Sequence, residues 1–156
     1  MKTAILNKPK NYQACITVNA DAKDAFEKIA KVNEWWASNI EGNTQKKGNV
    51  FTVRFGETFV TFKIAEAVPG KKTVWHVTDC YLHWIKDKKE WNDTKVVFTI
   101  SEKHKETIID MEHIGLTPAV ECYTNCEKGW DFYIKQSLHK FITTGKGMPE
   151  KPKALK

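Results

Sequence analysis

The middle of the chain alternates apolar and polar residues with a period of two. This alternation is typical of antiparallel strands with one buried and one solvated face. It occurs in residues 51–55, 60–64, 75–77, 96–100 and 109–111, and a short apolar alternation precedes them at 15–19. The connections at 56–57, 69–72 and 101–104 are short and polar, as hairpin turns are. The pattern predicts a meander of six or seven strands.

Two segments instead have the periodicity of amphipathic helices. The first, residues 24–32, follows Asn19 and Asp21, which are good helix-capping residues. The second spans about 120–143 and ends at Thr144 and Gly145, with a proline soon after. Its apolar residues recur three or four apart: Val120, Tyr123, Cys126, Trp130, Tyr133, Ile134, Leu138, Phe141 and Ile142. We therefore expect a short helix after the first strand and a long helix at the C-terminus.

These elements predict an α+β fold in which one sheet must cover its apolar face. The C-terminal helix is the only element long and apolar enough to do so. A twisted sheet of six or seven strands curls, so a straight helix laid across its concave side leaves space near the middle. The expected result is a curved sheet wrapped around the helix, with a cavity between them.

The expected limits of this domain are residues 14 and 149. Residues 1–13 are expected to form a loose lead-in, and residues 150–156 a basic tail. Residues 83–93 mix Trp84 and Trp91 with charged residues and fit no strand or helix pattern. We interpret them as an extended loop or a twisted hairpin end.

Composition and charge narrow the class of protein. Hydrophobic residues make up 41% of the chain and aromatic residues 12%, which excludes a disordered chain. The net charge of +6 comes from lysines spread among turns and acidic residues, which favours a solvated surface over a nucleic-acid site. No segment has an export signal or the roughly 20 apolar residues of a membrane span. We expect a cytoplasmic protein with reduced cysteines and no stable membrane insertion.

Several local sequences resemble the START-like superfamily, also called SRPBCC or helix-grip proteins. They include Ile16-Thr17-Val18-Asn19-Ala20, Ala25-Phe26-x-x-Ile29, Trp35-Trp36, Gly48-x-x-Phe51, Arg54-Phe55-Gly56 and Pro69-Gly70-Lys71. His113-Ile114-Gly115-Leu116 and Gly129-Trp130-x-x-Tyr133-x-x-x-Ser137-Leu138 are similar to the branch of activators of the Hsp ATPase chaperone. The resemblance covers about residues 14–149. It implies the helix-grip fold, whereas the functions within the superfamily vary widely.

The candidate ligand-binding residues face the expected cavity. They are Trp36, Phe55, Phe62, Trp75, Asp79, Phe98, Met111, His113, Trp130, Tyr133 and Ile134. Any one of the aromatic rings could equally fill a core, but together they favour a pocket. Strand alternation directs His113 and Asp79 toward the helix, where a polar group needs a partner or changes its pKa. Both remain open to the alternative that strand ends are solvated.

No catalytic motif, phosphate loop, cofactor motif or metal motif is present in the sequence. Cys122 and Cys126 lie one helical turn apart, but a structural zinc site needs four donors. The leading hypothesis is therefore binding of a small hydrophobic or amphipathic molecule or a lipid, by a monomer or homodimer. A second hypothesis is a protein-interaction module that uses exposed Trp36, Trp84 or Trp91. The third is an enzyme that uses Asp79 or His113 for acid–base chemistry.

Overall fold

A computed structural model describes residues 10–149. Seven strands form one antiparallel sheet in the order β1-β7-β6-β5-β4-β3-β2. Their bounds are β1 Tyr12–Val18, β2 Ile40–Gly42, β3 Val50–Phe55, β4 Thr58–Val68, β5 Lys72–Tyr81, β6 Lys95–Lys103 and β7 Glu106–Ile114. The five strands from β3 to β7 form the meander, and β1 closes it by pairing with β7. The sheet confirms the α+β fold class.

The helices lie at the two places where the sequence has helical periodicity. The first segment forms α1, Ala22–Ala30, and a further turn, α2, Val32–Trp35. Asp21 caps α1 by accepting a hydrogen bond from the Asp24 amide at 2.7 Å. The long C-terminal helix, α3, covers residues 123–144 and ends at Gly145, which has a left-handed φ of 86°.

The middle of α3 is wider than an α-helix. Its first and last parts, Tyr123–Trp130 and His139–Thr144, are α-helical, whereas Asp131–Leu138 is a π-helix. Ile134, Ser137 and Leu138 are nevertheless buried there against the sheet. The spacing of three and four does not distinguish these two helical forms, so the sequence predicts only a continuous helix.

The core between α3 and the sheet is dominated by aromatic rings. The ring of Trp75 stacks on that of Trp36 at 6.2 Å between centroids and meets Phe98 edge-on at 5.0 Å. Five of the proposed ligand-binding residues lie in this core with at most 1% of their surface exposed: Phe62, Trp75, Phe98, Met111 and Ile134. These side chains pack the interior behind the cavity described below.

A β-bulge changes which face of β5 is buried. Val77 pairs with Phe62, whereas Asp79 pairs with Thr61, so β5 contains one residue more than β4 at this point. The alternation therefore reverses after Val77, and Cys80 is buried while the Asp79 carboxylate lies outside with Lys89 at 2.9 Å. The expectation that Asp79 faces the helix is wrong for this reason.

Two further features differ from the sequence predictions, and one loop agrees with them. The edge strand β2 was not expected, because three residues are too few to show alternation. Strand β1 begins at Tyr12, two residues before the expected domain start. Residues 82–94 contain turns but no helix or strand, in agreement with the loop interpretation. Most of the expected lead-in (residues 1–9) and the whole expected tail (150–156) lie outside the described residues.

Within residues 10–149, no helix is both long enough and apolar enough to cross a lipid bilayer.

Candidate ligand-binding pocket

A pocket of about 150 Å³ lies where α3, the ends of β3 and β4, and the loop 82–94 meet. Its walls are Trp36, Phe55, Thr58, Val60, Leu82, Trp84, Trp91, Cys126, Gly129, Trp130 and Tyr133. Six of these residues are aromatic, and none carries a formal charge. The pocket is therefore an almost wholly apolar space at one end of the sheet–helix interface.

A chain of hydrogen bonds behind the pocket holds two of its walls together. The Trp130 indole N–H donates to His113 Nδ1 at 3.1 Å, and His113 Nε2 lies 2.9 Å from Thr94 Oγ1. Thr94 in turn donates its hydroxyl proton to the Trp91 carbonyl at 2.7 Å. The indole N–H is only a donor, so His113 Nδ1 is the acceptor and Nε2 carries the proton. The chain thus links α3, β7 and the loop through one fixed tautomer.

His113 lies fully inside the protein, as strand alternation predicts. Its exposed fraction is 0%, and burial lowers its pKa from 6.5 to about 3. The imidazole is therefore neutral at neutral pH. Both ring nitrogens have protein partners, which places His113 behind the aromatic wall.

Cys126 of α3 lines the next part of the wall, and Cys122 lies one turn earlier, immediately before the helix. Trp91 donates its indole N–H to Cys122 Sγ at 3.2 Å. A hydrogen bond with Cys122, together with burial, raises the pKa of the Cys126 thiol. Cys126 lines the pocket as a neutral thiol. Among residues 10–149, no three His, Cys, Asp or Glu side chains are grouped so that they could hold a metal ion.

Two carboxylates fasten the loop 82–94 to the start of α3. Glu90 accepts hydrogen bonds from the amides of Glu121 and Cys122 at 2.7 and 2.8 Å. Glu121 accepts in return from the amides of Lys86 and Asp87 at 3.0–3.1 Å. These backbone donors lower the pKa of the Glu121 carboxyl. The reciprocal bonds keep Trp84 and Trp91 beside the helix.

The tryptophans of this region differ sharply in exposure. Trp84 is 44% exposed, whereas Trp91 and Trp36 are only 7% and 4% exposed. Of the three tryptophans proposed as exposed anchors, Trp36 and Trp91 are buried, because the loop folds inward and Trp36 packs on Trp130 at 4.8 Å between ring centroids. Only Trp84 combines a place in the pocket wall with substantial contact with solvent.

Four of the proposed ligand-binding residues line this pocket: Trp36, Phe55, Trp130 and Tyr133. Sequence reasoning did not include Thr58, Val60, Leu82, Trp84, Trp91, Cys126 and Gly129 in the site. The two tryptophans of the loop could have been recognised from the sequence. Large apolar residues among five charged neighbours indicate that the loop is anchored to the core by their side chains. Leu82 gives no such signal, because the β5 bulge decides its direction.

Several solved structures share this fold at low sequence identity. The Aha1 dimer from Colwellia psychrerythraea matches with a TM-score of 0.72 and 19% identity, over 88% of this chain and 98% of that one. Protein SSP2350 from Staphylococcus saprophyticus matches with a TM-score of 0.67 and 13% identity, over 90% and 98% of the two chains. CalU16 from Micromonospora echinospora matches with a TM-score of 0.61 and 16% identity, over 85% and 76%. The protein therefore has the helix-grip fold, which the Aha1 structure shares.

Comparison of sequences adds nothing further: the chain matches no established protein-family model and no curated protein.

Proposed function

We propose that this protein binds a small hydrophobic or amphipathic ligand in the pocket between α3 and the sheet. The observation that carries the proposal is a pocket of about 150 Å³ whose walls include six aromatic residues and no charge. Pockets of small-molecule sites are mostly apolar, with few polar groups. Here those groups are the Thr58 hydroxyl, the Cys126 thiol and the Tyr133 hydroxyl.

The side of the pocket formed by Trp84 is the route by which a ligand would enter. Trp84 is 44% exposed, and Phe55 and Tyr133 beside the pocket are half-buried. Burial of exposed aromatic surface contributes roughly 25 cal/mol per Å² to binding. A ligand that covers Trp84 would gain this contribution, whereas one confined to the core could not reach it.

Gly129 provides a direct test, because it lines the pocket without a side chain. A Cβ added to Gly129 has no heavy atom within 4 Å, so Gly129→Leu would extend into open pocket space. We would titrate the purified protein with N-phenyl-1-naphthylamine, an uncharged dye that fluoresces in apolar sites. Native mass spectrometry would report any ligand already bound.

The expected result is saturable dye binding that Gly129→Leu abolishes. The matched control is Lys128→Leu, which adds the same side chain to the exposed face of the same helical turn. Equal binding by the wild type and Gly129→Leu, with both folded by circular dichroism, would refute the pocket as the binding site.

A second candidate function is a protein-interaction module. The exposed indole of Trp84 stands in a loop with exposed Lys86 and Lys89, which together suit an acidic partner with an apolar anchor point. The Aha1 structure from Colwellia psychrerythraea, which shares this fold, is a dimer, so self-association through Trp84 is a separate form of this function. Sedimentation of the wild type and Trp84→Ala would test this: self-association that Trp84→Ala weakens supports it, and two identical monomers contradict it.

A further inference from the structure

Apolar surface dominates the walls of the pocket, and several of their polar atoms already have partners in the protein. The indole N–H of Trp130 is bound to His113, and that of Trp91 is bound to Cys122. Thr58 Oγ1 already accepts a hydrogen bond from the His83 amide at 3.1 Å. Two indole rings of the inner wall, those of Trp91 and Trp130, stack at 6.1 Å between centroids with only 11° between their planes. They present flat carbon surface to whatever enters.

Two of the lysines near the pocket, Lys88 and Lys89, already have partners. Lys89 Nζ lies 2.9 Å from Asp79, and Lys88 Nζ donates to the carbonyls of His83, at 2.8 Å, and Ile85. A carboxylate carried into the pocket would lose its hydration without gaining a cation. The ring faces would attract a cation by roughly 0.5–2 kcal/mol, which is less than the cost of dehydrating it, and the protein's net charge of +6 opposes its approach. Transfer of an unpaired charge out of water is costly, so the pocket discriminates against charged ligands.

The size of the pocket sets the second limit. Sites for drug-sized molecules enclose roughly 300–1,000 Å³. An apolar cavity of about 150 Å³ accommodates benzene. This pocket has that smaller volume, about 150 Å³, and opens beside Trp84. A long acyl chain or a sterol exceeds it, while one ring fits inside and a second can lie against Trp84.

We propose that the ligand is an uncharged planar molecule of one or two fused rings, held against the stacked indoles of Trp91 and Trp130. This inference rests on the proposed function and narrows it from hydrophobic molecules and lipids in general to one chemical class. Offset or edge-on contact with the indoles stabilises such a ring beyond simple burial. The neutral His113 maintains the wall by fixing the Trp130 ring.

Calorimetric titration with four probes tests the inference: indole, phenol, benzyltrimethylammonium and palmitate. We expect indole to bind at least about tenfold more tightly than the cation and the fatty acid, a difference of about 1.4 kcal/mol. We also expect the indole N–H resonances of Trp84 and Trp130 to shift on binding. Gly129→Leu should abolish indole binding, and Lys128→Leu should preserve it. Gly129→Ala, which adds a single methyl group, should weaken it if Gly129→Leu proves misfolded.

The outcomes separate this inference from the proposed function. Binding of palmitate or benzyltrimethylammonium as tightly as indole, lost in Gly129→Leu, overturns the ring class but leaves a ligand-binding pocket. Binding of indole that neither Gly129 variant changes overturns both, because the site then lies elsewhere. Failure of all four probes and of N-phenyl-1-naphthylamine also overturns both.

Discussion

The indole N–H of Trp130 donates to Nδ1 of His113 across 3.1 Å, at a site where the imidazole has no contact with solvent. The bond joins the helix to strand β7 and fixes the orientation of the largest ring on the pocket side of the helix. A buried donor that loses its acceptor costs about 1–3 kcal/mol. His113 therefore connects the stability of the fold to the shape of the pocket.

The first prediction concerns the loss of folding stability in acid. The folded pKa of His113 is lowered by burial to about 3, from an ordinary value of 6.5. Between these values only the unfolded chain binds the proton. Stability is therefore full above pH 6.5 and falls by about 1.4 kcal/mol per pH unit below it. Because of this group, the free energy of unfolding measured in urea should be about 2 kcal/mol lower at pH 5 than at pH 7.

His113→Gln should remove that difference, because its amide can accept from Trp130 and donate to Thr94 without titrating. The control is His104→Asn in the exposed β6–β7 turn, where φ is 60° and asparagine is tolerated. It should retain the wild-type pH dependence. If the free energy of unfolding of His113→Gln changes with pH as it does in the wild type, His113 is not the group responsible.

The second prediction concerns Gly129 in the helix. Alanine is favoured over glycine inside a helix by about 0.5–1 kcal/mol, and a Cβ at Gly129 meets no neighbour. Gly129→Ala should therefore raise the free energy of unfolding by that amount in urea titration. At Gly147 an added Cβ would collide with the Glu34 carbonyl oxygen, so Gly147→Ala should destabilise the protein. Equal changes in the free energy of unfolding for Gly129→Ala and Gly147→Ala would contradict the open space at Gly129 and the close contact at Gly147.

The third prediction concerns the loop carboxylates. The amides of Lys86 and Asp87 lower the pKa of Glu121, so these bonds are intact above its ordinary value of 4.5 and are lost as pH falls through the lower folded value. The Lys86 and Asp87 amide resonances should follow that titration. In Glu121→Gln the acid titration should disappear, whereas Glu106→Gln on β7 should leave it unchanged. Amides that do not respond to pH in the wild type would refute the contact.

The fourth prediction concerns Ser137, which is fully buried. Its hydroxyl donates to the Trp35 carbonyl at 2.6 Å and accepts from the Met148 amide at 2.7 Å. Ser137→Ala leaves both groups unpaired and should cost about 1–3 kcal/mol in urea unfolding. It should also speed hydrogen exchange at the Met148 amide. Thr143→Ala, at an exposed position of the same helix, should change stability by less than about 0.5 kcal/mol. Similar losses in both variants would contradict the role of Ser137.

The sequence by itself determined most of the elements and the class of fold. Alternation with period two identified the strands from β3 to β7, and spacings of three and four identified α1 and α3. Strand alternation also directed His113 inward, in the row of Ile109 and Met111, but left a solvated strand end as the alternative; the structure shows His113 buried. These features are local: each depends on which face of one element is apolar, and that pattern is visible along the chain.

Only the tertiary structure decided which inward residues fill the core and which border open space. Phe62 and Trp130 are both aromatic and buried, yet Trp130 lines the pocket and Phe62 does not. The difference depends on the distance between α3 and each part of the sheet. That distance cannot be predicted from the residue pattern of any one helix or strand. The outward turn of Asp79 likewise follows from pairing of β5 with β4 across a bulge. Sequence periodicity gives the direction of a side chain within one regular element, whereas packing between elements determines where space remains.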